Sequence, residues 1–472
     1  MFKDFDEALA FISSEQIGLV DLVYCDLWGR MHHLTLSARE FTPLMMKEGI
    51  GFDGSSVGFK HVHAGDMVLL PDFATGFIDL FHSEPTLAFI CNTYEADTKA
   101  LFPFDPRTMV RRAEQQLIDS GVADGSLWGP EFEFYVFDQV SFRNQPDLTL
   151  YQIESQEANW GFNYNPNGYA LAENQGYHAA PPSDTYFELR DEILVTLAKL
   201  GVPTKYHHHE VGGPGQLEIE MPMMGMLQAG DAAMIIKYVT KMVARKHGKT
   251  ATFLPKPVFG IAGSAMHYHQ QLTKGGVNLF YDADGPSLLS KAALGYIGGL
   301  LAHAPAVMAF TNPSPNSYRR LVPGYEAPIK AFFSPGNRSA AIRIPKYATQ
   351  PNEVRMEFRP PDATGNSYLS MAAMLLAGMD GIENAIDPTA EGYGPINENI
   401  FDWTEEQRET IKSLPTSVET AMHALEVDNA FLKVGGIFDD ALIETWVKEQ
   451  RKEAYEVMLR PSPFEVERYY DC

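Results

Sequence analysis

Four separated segments of the chain alternate charged and apolar side chains with a period of two. In EFEF, Glu131 and Glu133 take one side and Phe132 and Phe134 the other; in QLEIE, Glu218 and Glu220 oppose Leu217 and Ile219. In MHYH, His267 and His269 oppose Met266 and Tyr268, and in RMEFR, Arg355, Glu357 and Arg359 oppose Met356 and Phe358. Strand side chains alternate between two faces, so each segment predicts a strand with one apolar and one polar face. Apolar residues recurring at helical spacing predict helices in RTMVRRAEQQLIDSGV, TYFELRDEILVTLAKLG, DAAMIIKYVTKMVARKHG and SYLSMAAMLLAGMDGIENAI. Before residue 100, short apolar runs such as IGLVDLVYCDL alternate with turn-rich stretches such as FDGSSVGF, a pattern that predicts a small mixed sheet. After LFPFDP a helix begins and stops at Gly121, which divides the chain into residues 1–105 and 106–472. Strands and helices alternate through the second unit, so the fold class is α+β.

A length of 472 residues exceeds one ordinary core and fits two domains. Sixty-one acidic against thirty-seven basic residues leave a net charge of −24, which argues against nucleic acid and against an anionic membrane surface. No apolar run approaches the ~18 residues of a membrane span, and GYIGGLLAHAPAVMAF is broken by His303 and Pro305. Cys25, Cys91 and Cys472 are too few and too widely spaced for a disulfide framework, so a reducing cytoplasm fits best.

Taken alone, each polar strand face reads more readily as a solvated surface than as part of a site. Their recurrence in four strands suggests a shared concave site in which several carboxylates lie close together. Like charges there raise one another's pKa unless cations intervene, and hard oxygen donors with one imidazole favour Mg²⁺ or Mn²⁺ over zinc. In HHHEVGGPGQLEIE the three histidines cannot all face one way, and Glu210 is a better ligand candidate than His207. The turn Gly212-Gly213-Pro214-Gly215 would bring Glu210 back toward Glu218, or serve only as a hairpin connector. Arg319, Arg320, Arg338, Arg343, Arg355 and Arg359 crowd one region of an acidic chain, and guanidinium forks suit carboxylate and phosphate oxygens. The long loop TNPSPNSYRRLVPGYEAPI (311–329) is a candidate flap.

In order along the chain, FDGSSVGF with GDMVLLPD, GPEFEF, HHHEVGGPGQLE, GSAMHYH, NSYRRLVPGYEAPI, NRSAAIRIP and MEFRPPDATGNSYLS resemble type I glutamine synthetases over essentially the whole length. The resemblance implies an N-terminal β-grasp domain followed by a larger catalytic domain with a curved antiparallel sheet and surrounding helices. It implies an ATP-dependent ligase that makes glutamine from glutamate and ammonia through γ-glutamyl phosphate, with two or three Mg²⁺ or Mn²⁺ ions per site. Carried over motif by motif, Glu133, Glu210 and Glu218 would hold one ion and Glu131, His267 and Glu357 the other. Arg320 and Arg359, with the backbone at Gly263, would bind glutamate; Arg338 and Arg343 would neutralise the phosphate; His269 and Arg355 would serve the nucleotide. Glu326 would close the site and help deprotonate ammonium, in a pocket completed by Tyr177 and by Asp53 and Ser56 of a neighbouring subunit. The ending SPFEVERYYDC is similar to the segment that joins two hexameric rings of the family into a dodecamer.

The chain departs from the family pattern at several points. Ala262-Gly263-Ser264-Ala265 stands where Asn-Gly-Ser-Gly is common, which keeps open a γ-glutamyl ligase for a small amine or polyamine. Lys205, Met223, Gln271 and Asn352 replace residues more often Glu, Phe, Ser and Lys on the nucleotide side, which leaves room for a non-catalytic metabolite-binding paralogue. Phe401 occupies the position of the tyrosine that is adenylylated in some members, and without a hydroxyl it cannot carry that modification.

Overall fold

The computed structural model describes residues 1–160, 168–325 and 327–472. Strands β1 (Leu19–Cys25), β2 (Met31–Ser37), β3 (Ile50–Asp53), β4 (Asp66–Pro71), β5 (Phe77–Ile78) and β6 (Thr86–Glu95) form one sheet in the order β2-β1-β6-β4-β3, with β5 beside β6. It is mixed, as expected: β1 runs parallel to β6, and the other pairs are antiparallel. Its central strands are apolar on both sides because both faces are covered. Val20, Leu22, Leu87 and Phe89 pack with Ala8 and Ile12 of the Phe5–Ser14 helix, whereas Val23, Cys25, Ala88 and Ile90 join the core of the rest of the chain.

The helix Pro106–Asp119 follows, with Asp105 accepting from the Thr108 amide as N-cap and Pro106 in the first turn. From this helix Arg107, almost wholly buried, spans the two units. It donates to Asp231 on one side and to Asn92 and Asp72 on the other.

The larger sheet contains β7 (Gly125–Phe137), β10 (Tyr206–His209), β11 (Gln216–Glu220), β14 (Met266–Lys274), β16 (Phe333–Pro335), β17 (Ile342–Ile344) and β18 (Met356–Phe358) in the order β10-β11-β7-β14-β18-β17-β16. Short β12 (Met224–Gly225) and β13 (Thr250–Thr252) pair with β7, β15 (Val277–Asn278) pairs with β14, and β8 (Gln139–Gln145) and β9 (Leu148–Glu154) form a separate hairpin. The pairs are antiparallel apart from β16 and β17. One face of the larger sheet is apolar: Phe132, Phe134, Leu217, Ile219, Met266, Tyr268, Met356 and Phe358 join the core with the helices Met226–Lys246 and Ser367–Glu383. Their alternate neighbours are the charged residues of the opposite face.

No single helix among the described residues is long and apolar enough to cross a membrane. The apolar stretch around His303 forms two helices, Lys291–Ala302 and Ala304–Thr311, bent by 73°, and most of its residues are buried in the core.

Candidate active site

Strand register alone assembles most of the polar face. Across the β7–β11 pair Glu133 lies opposite Glu218 and Glu131 opposite Glu220; across β7–β14 Glu131 lies opposite His267. Glu357 on β18 pairs with His269 on one side and Arg343 on the other, and His208 on β10 pairs with Glu218. Residues as far as 136 positions apart in the sequence therefore become neighbours because a two-residue period faces them the same way in adjacent strands.

The side chains converge. His267 Nδ1 lies 3.1 Å from Glu131 Oε1 and 3.6 Å from Glu357 Oε1. Glu131, His267 and Glu357 offer ligand atoms within 4.8 Å of one another, as do Glu131, Glu133 and Glu218. Glu210 meets Glu218 in a third such group, completed by His208. The turn thus brings Glu210 and Glu218 together. Gly213 and Gly215 have φ of +85° and +81°, and a Cβ on Gly212 would stand 2.4 Å from Tyr135 Oη, so the glycines are required by the geometry.

The histidine triplet splits as alternation demands. His207 Nε2 bonds Asp191 at 2.8 Å, and His209 Nε2 donates to the fully buried Glu157 at 3.0 Å. Only His208 turns toward the site, with Nε2 3.0 Å from Glu218 Oε1. Glu157 also accepts from the Gly215 and Thr185 amides, so one buried carboxylate anchors the turn that carries Glu210. Neither His208 nor Glu157 stood out in the sequence. Alternation along YHHH could have found His208, which shares a face with Tyr206; nothing local marks Glu157.

Electrostatics separate the carboxylates into two kinds. Burial, with the charges of Glu133 and Glu218, pushes Glu210 up to about 9. Burial and the charges of Glu131, Glu133 and Glu357 push Glu218 well above the usual carboxylate range. Glu357 is the opposite case: burial would raise it, but Arg359 and Arg343 overcome burial and hold it at about 2. Burial of Glu131 is likewise outweighed by hydrogen bonds with His267 and His269, which keep it well below its ordinary value.

A cavity of about 200 Å³ opens on this cluster. Its walls include Arg320, Arg338, Arg343 and Arg359, together with Gly263 and Tyr177. Arg320 is held by carbonyls, donating to Pro360 O at 2.7 Å and Arg359 O at 3.0 Å, and Arg359 Nε donates to Arg338 O. Arg355 lies just beyond, its Nε donating to His269 Nδ1 at 3.2 Å. Asp53 and Ser56 do not line this cavity; they sit at the edge of the N-terminal sheet, where Ser56 Oγ donates to Asp53 at 2.6 Å. Glu326 lies outside the described residues.

The first half of the 311–329 loop is packed into the protein. Asn312, Ser317 and Arg320 are buried, a short helix spans Ser317–Arg320, and Asn312 donates to Pro360 O and Asp362. Asn312, Ser317 and Arg320 find protein hydrogen-bond partners, which fixes that half in place.

The family model described as the glutamine synthetase catalytic domain matches residues 103–469, and that of the glutamine synthetase beta-Grasp domain matches residues 16–96. The chain is 43% identical over 475 residues to a glutamine synthetase of Streptomyces coelicolor, with both chains covered in full. A glutamine synthetase of Nostoc is 43% identical over 473 residues, covering 98% of this chain and 99% of its own. Among solved structures, Plasmodium falciparum glutamine synthetase superposes with a TM-score of 0.89 at 26% identity over 99% of each chain. A GmaS/ADP complex shares the fold, with a TM-score of 0.82 at 24% identity and full coverage of both chains. A β-grasp unit joined to a curved sheet with a polyacidic, arginine-rich face defines the class. The chain belongs to the glutamine synthetase family.

Proposed function

We propose that the chain is an ATP-dependent glutamate–ammonia ligase that forms glutamine. The observation that carries this reading is the gathering of Glu131, Glu133, Glu210, Glu218, His267 and Glu357 beside four arginines at one small cavity. In the reaction a γ-carboxylate oxygen of glutamate attacks the terminal phosphorus of ATP and ADP leaves. Ammonia then attacks the acyl carbon of γ-glutamyl phosphate, and inorganic phosphate leaves.

The donor set fits divalent cations. Five carboxylates and one imidazole are hard ligands, and Glu210 Oε2 is buried with no hydrogen-bond partner. We assign Glu131, His267 and Glu357 to one Mg²⁺ or Mn²⁺ and Glu133, Glu210 and Glu218 to a second, with room for a third open in this reading. When bound, such ions neutralise the phosphate charge that accumulates during transfer. In this reading Arg338 and Arg343 meet the transferring phosphoryl group, Arg320 and Arg359 the glutamate carboxylate, and His269 with Arg355 the nucleotide. Glu326 and Tyr177, with Asp53 and Ser56 of a neighbouring copy, complete the ammonium pocket, and closure over the acyl phosphate keeps water from it.

The remoteness of Asp53 from its own chain's cavity supports sites shared between subunits. The C-terminal helix Pro463–Tyr469, with Phe464, Tyr469 and Tyr470 exposed, supports a dodecamer of two hexameric rings. Residues 1–105 and 106–472 are its two domains, and the free, buried thiols of Cys25 and Cys91 suit the cytoplasm.

Phosphate release from ATP that requires Mg²⁺ or Mn²⁺, glutamate and ammonium together is the expected result. Release with a small amine or polyamine and none with ammonium would overturn the choice of nucleophile.

A further inference from the structure

The tip of the 311–329 loop is held differently from its first half. Pro323 and Gly324 are exposed and Tyr325 is half-buried, and among the described residues no backbone hydrogen bond reaches 323–325. The tie that remains is a ring contact: Lys256 Nζ lies 4.0 Å from the centre of the Tyr325 ring.

Lys256 is itself firmly placed. Asn316 accepts from its backbone amide at 2.6 Å and donates to its carbonyl at 3.1 Å, and its ammonium donates to the Ile261 carbonyl. Asn316 leads into the Ser317–Arg320 helix, and Ile261 precedes Ala262 and Gly263 in the chain. One lysine thus joins three pieces of the proposed glutamate pocket: the 262–263 wall, the segment carrying Arg320, and the loop tip. Ala262, Gly263, Arg320 and Tyr325 line the cavity, whereas Lys256 stands behind them. Half-buried, its ammonium has shed part of its hydration, which strengthens its attraction for a ring face.

We propose that Lys256 is a positioning residue for the ligation step, latching the loop tip over the cavity through the Tyr325 ring so that ammonia, and not water, meets the acyl phosphate. The proposal rests on the ligase reading for its intermediate. With the tip released, water attacks the acyl carbon of γ-glutamyl phosphate, and the bond from that carbon to the phosphate oxygen breaks. Glutamate and inorganic phosphate leave, a proton passes to solvent, and ATP is consumed without glutamine. A partly desolvated cation–ring contact shifts a closed–open equilibrium by roughly tenfold, enough for the leak to appear in the product ratio.

The test compares phosphate released with glutamine formed, together with hydrogen exchange of the 321–331 amides, on the full-length protein with Mn²⁺. In wild type the two products are expected to match. K256M keeps the stem but not the charge, and Y325L keeps the bond to Ile261 but not the ring. Both are expected to release at least about twice as much phosphate as glutamine and to speed exchange at the tip by roughly tenfold. K256R, which keeps a cation, restores most of both readouts, and Y325L adds nothing to K256M because each removes the same contact. Exchange unchanged in both single variants, phosphate still matching glutamine in both, or K256R no better than K256M overturns the latch. A wild type that forms no glutamine, with tip exchange raised in K256M and Y325L and restored in K256R, would refute the ligase reading and leave the Lys256–Tyr325 latch standing.

Discussion

Glu218 on β11 stands directly opposite Glu133 on β7, so two acidic side chains face each other across adjacent strands with Glu131 and Glu357 close by. Like charges opposed in this way destabilise a sheet. The fold tolerates them through a strongly raised Glu218 pKa, and a bound cation would remove the conflict altogether.

Glu218→Gln is therefore expected to be mild for the metal-free fold and severe for the enzyme. At pH 7 unfolding should change by less than about 1 kcal/mol, because glutamine resembles the protonated acid. Turnover should fall by roughly 10²–10³-fold. Chemical denaturation and phosphate release check the two halves separately, and Mn²⁺ should no longer raise the variant's melting temperature as it does for wild type.

Glu357→Gln should behave the other way. Glu357 is fully buried between Arg343 and Arg359, and removing its charge strands two buried guanidinium groups. Breaking such a pair costs about 3–5 kcal/mol, with or without metal. With a folded pKa of about 2 against an ordinary 4.5, the wild-type contribution is present above pH 4.5 and is lost as pH falls through 2. Urea midpoints of the metal-free variant report the loss.

Metal binding should release protons. Glu210 sits at about 9 against an ordinary 4.5, so without metal it is protonated at pH 7. Its contribution to stability is present below pH 4.5 and is lost as pH rises through 9, because the unfolded chain then gains more from ionising. Metal-free protein should lose stability across that window, and saturating Mn²⁺ should flatten the decline. Calorimetry of Mn²⁺ binding in buffers of different ionisation enthalpy measures the released protons.

Gly263→Ala should weaken glutamate binding. An added Cβ would lie 2.4 Å from the Pro255 carbonyl and 2.8 Å from Arg320 Cγ. Backbone on one side leaves Arg320 to move, and its guanidinium is the proposed carboxylate ligand. A rise in KM for glutamate of about tenfold or more, with KM for ATP little changed, is expected from steady-state kinetics.

Period-two alternation made the catalytic sheet legible. The same alternation that hides Phe132, Leu217, Met266 and Phe358 in the core commits Glu131, Glu218, His267 and Glu357 to one face. Strand order was not legible in that pattern, because pairing joins residues such as Arg343 and Glu357 through register that no local signal records. Buried polar anchors escaped for the same reason. Glu157 reaches His209 and Gly215 from more than 50 residues away, and Arg107 gains its meaning only beside Asp231. The 311–329 loop reads as a candidate flap because Asn, Ser and Pro signal turns, whereas the partners that fix Asn312 and Arg320 lie at 359–362.

Crystals grown with Mn²⁺ and measured at its absorption edge test the central claim most directly. The account predicts anomalous peaks between Glu131, His267 and Glu357 and beside Glu133, Glu210 and Glu218. An ordered, Mn²⁺-saturated crystal with no peak at either cluster would contradict it.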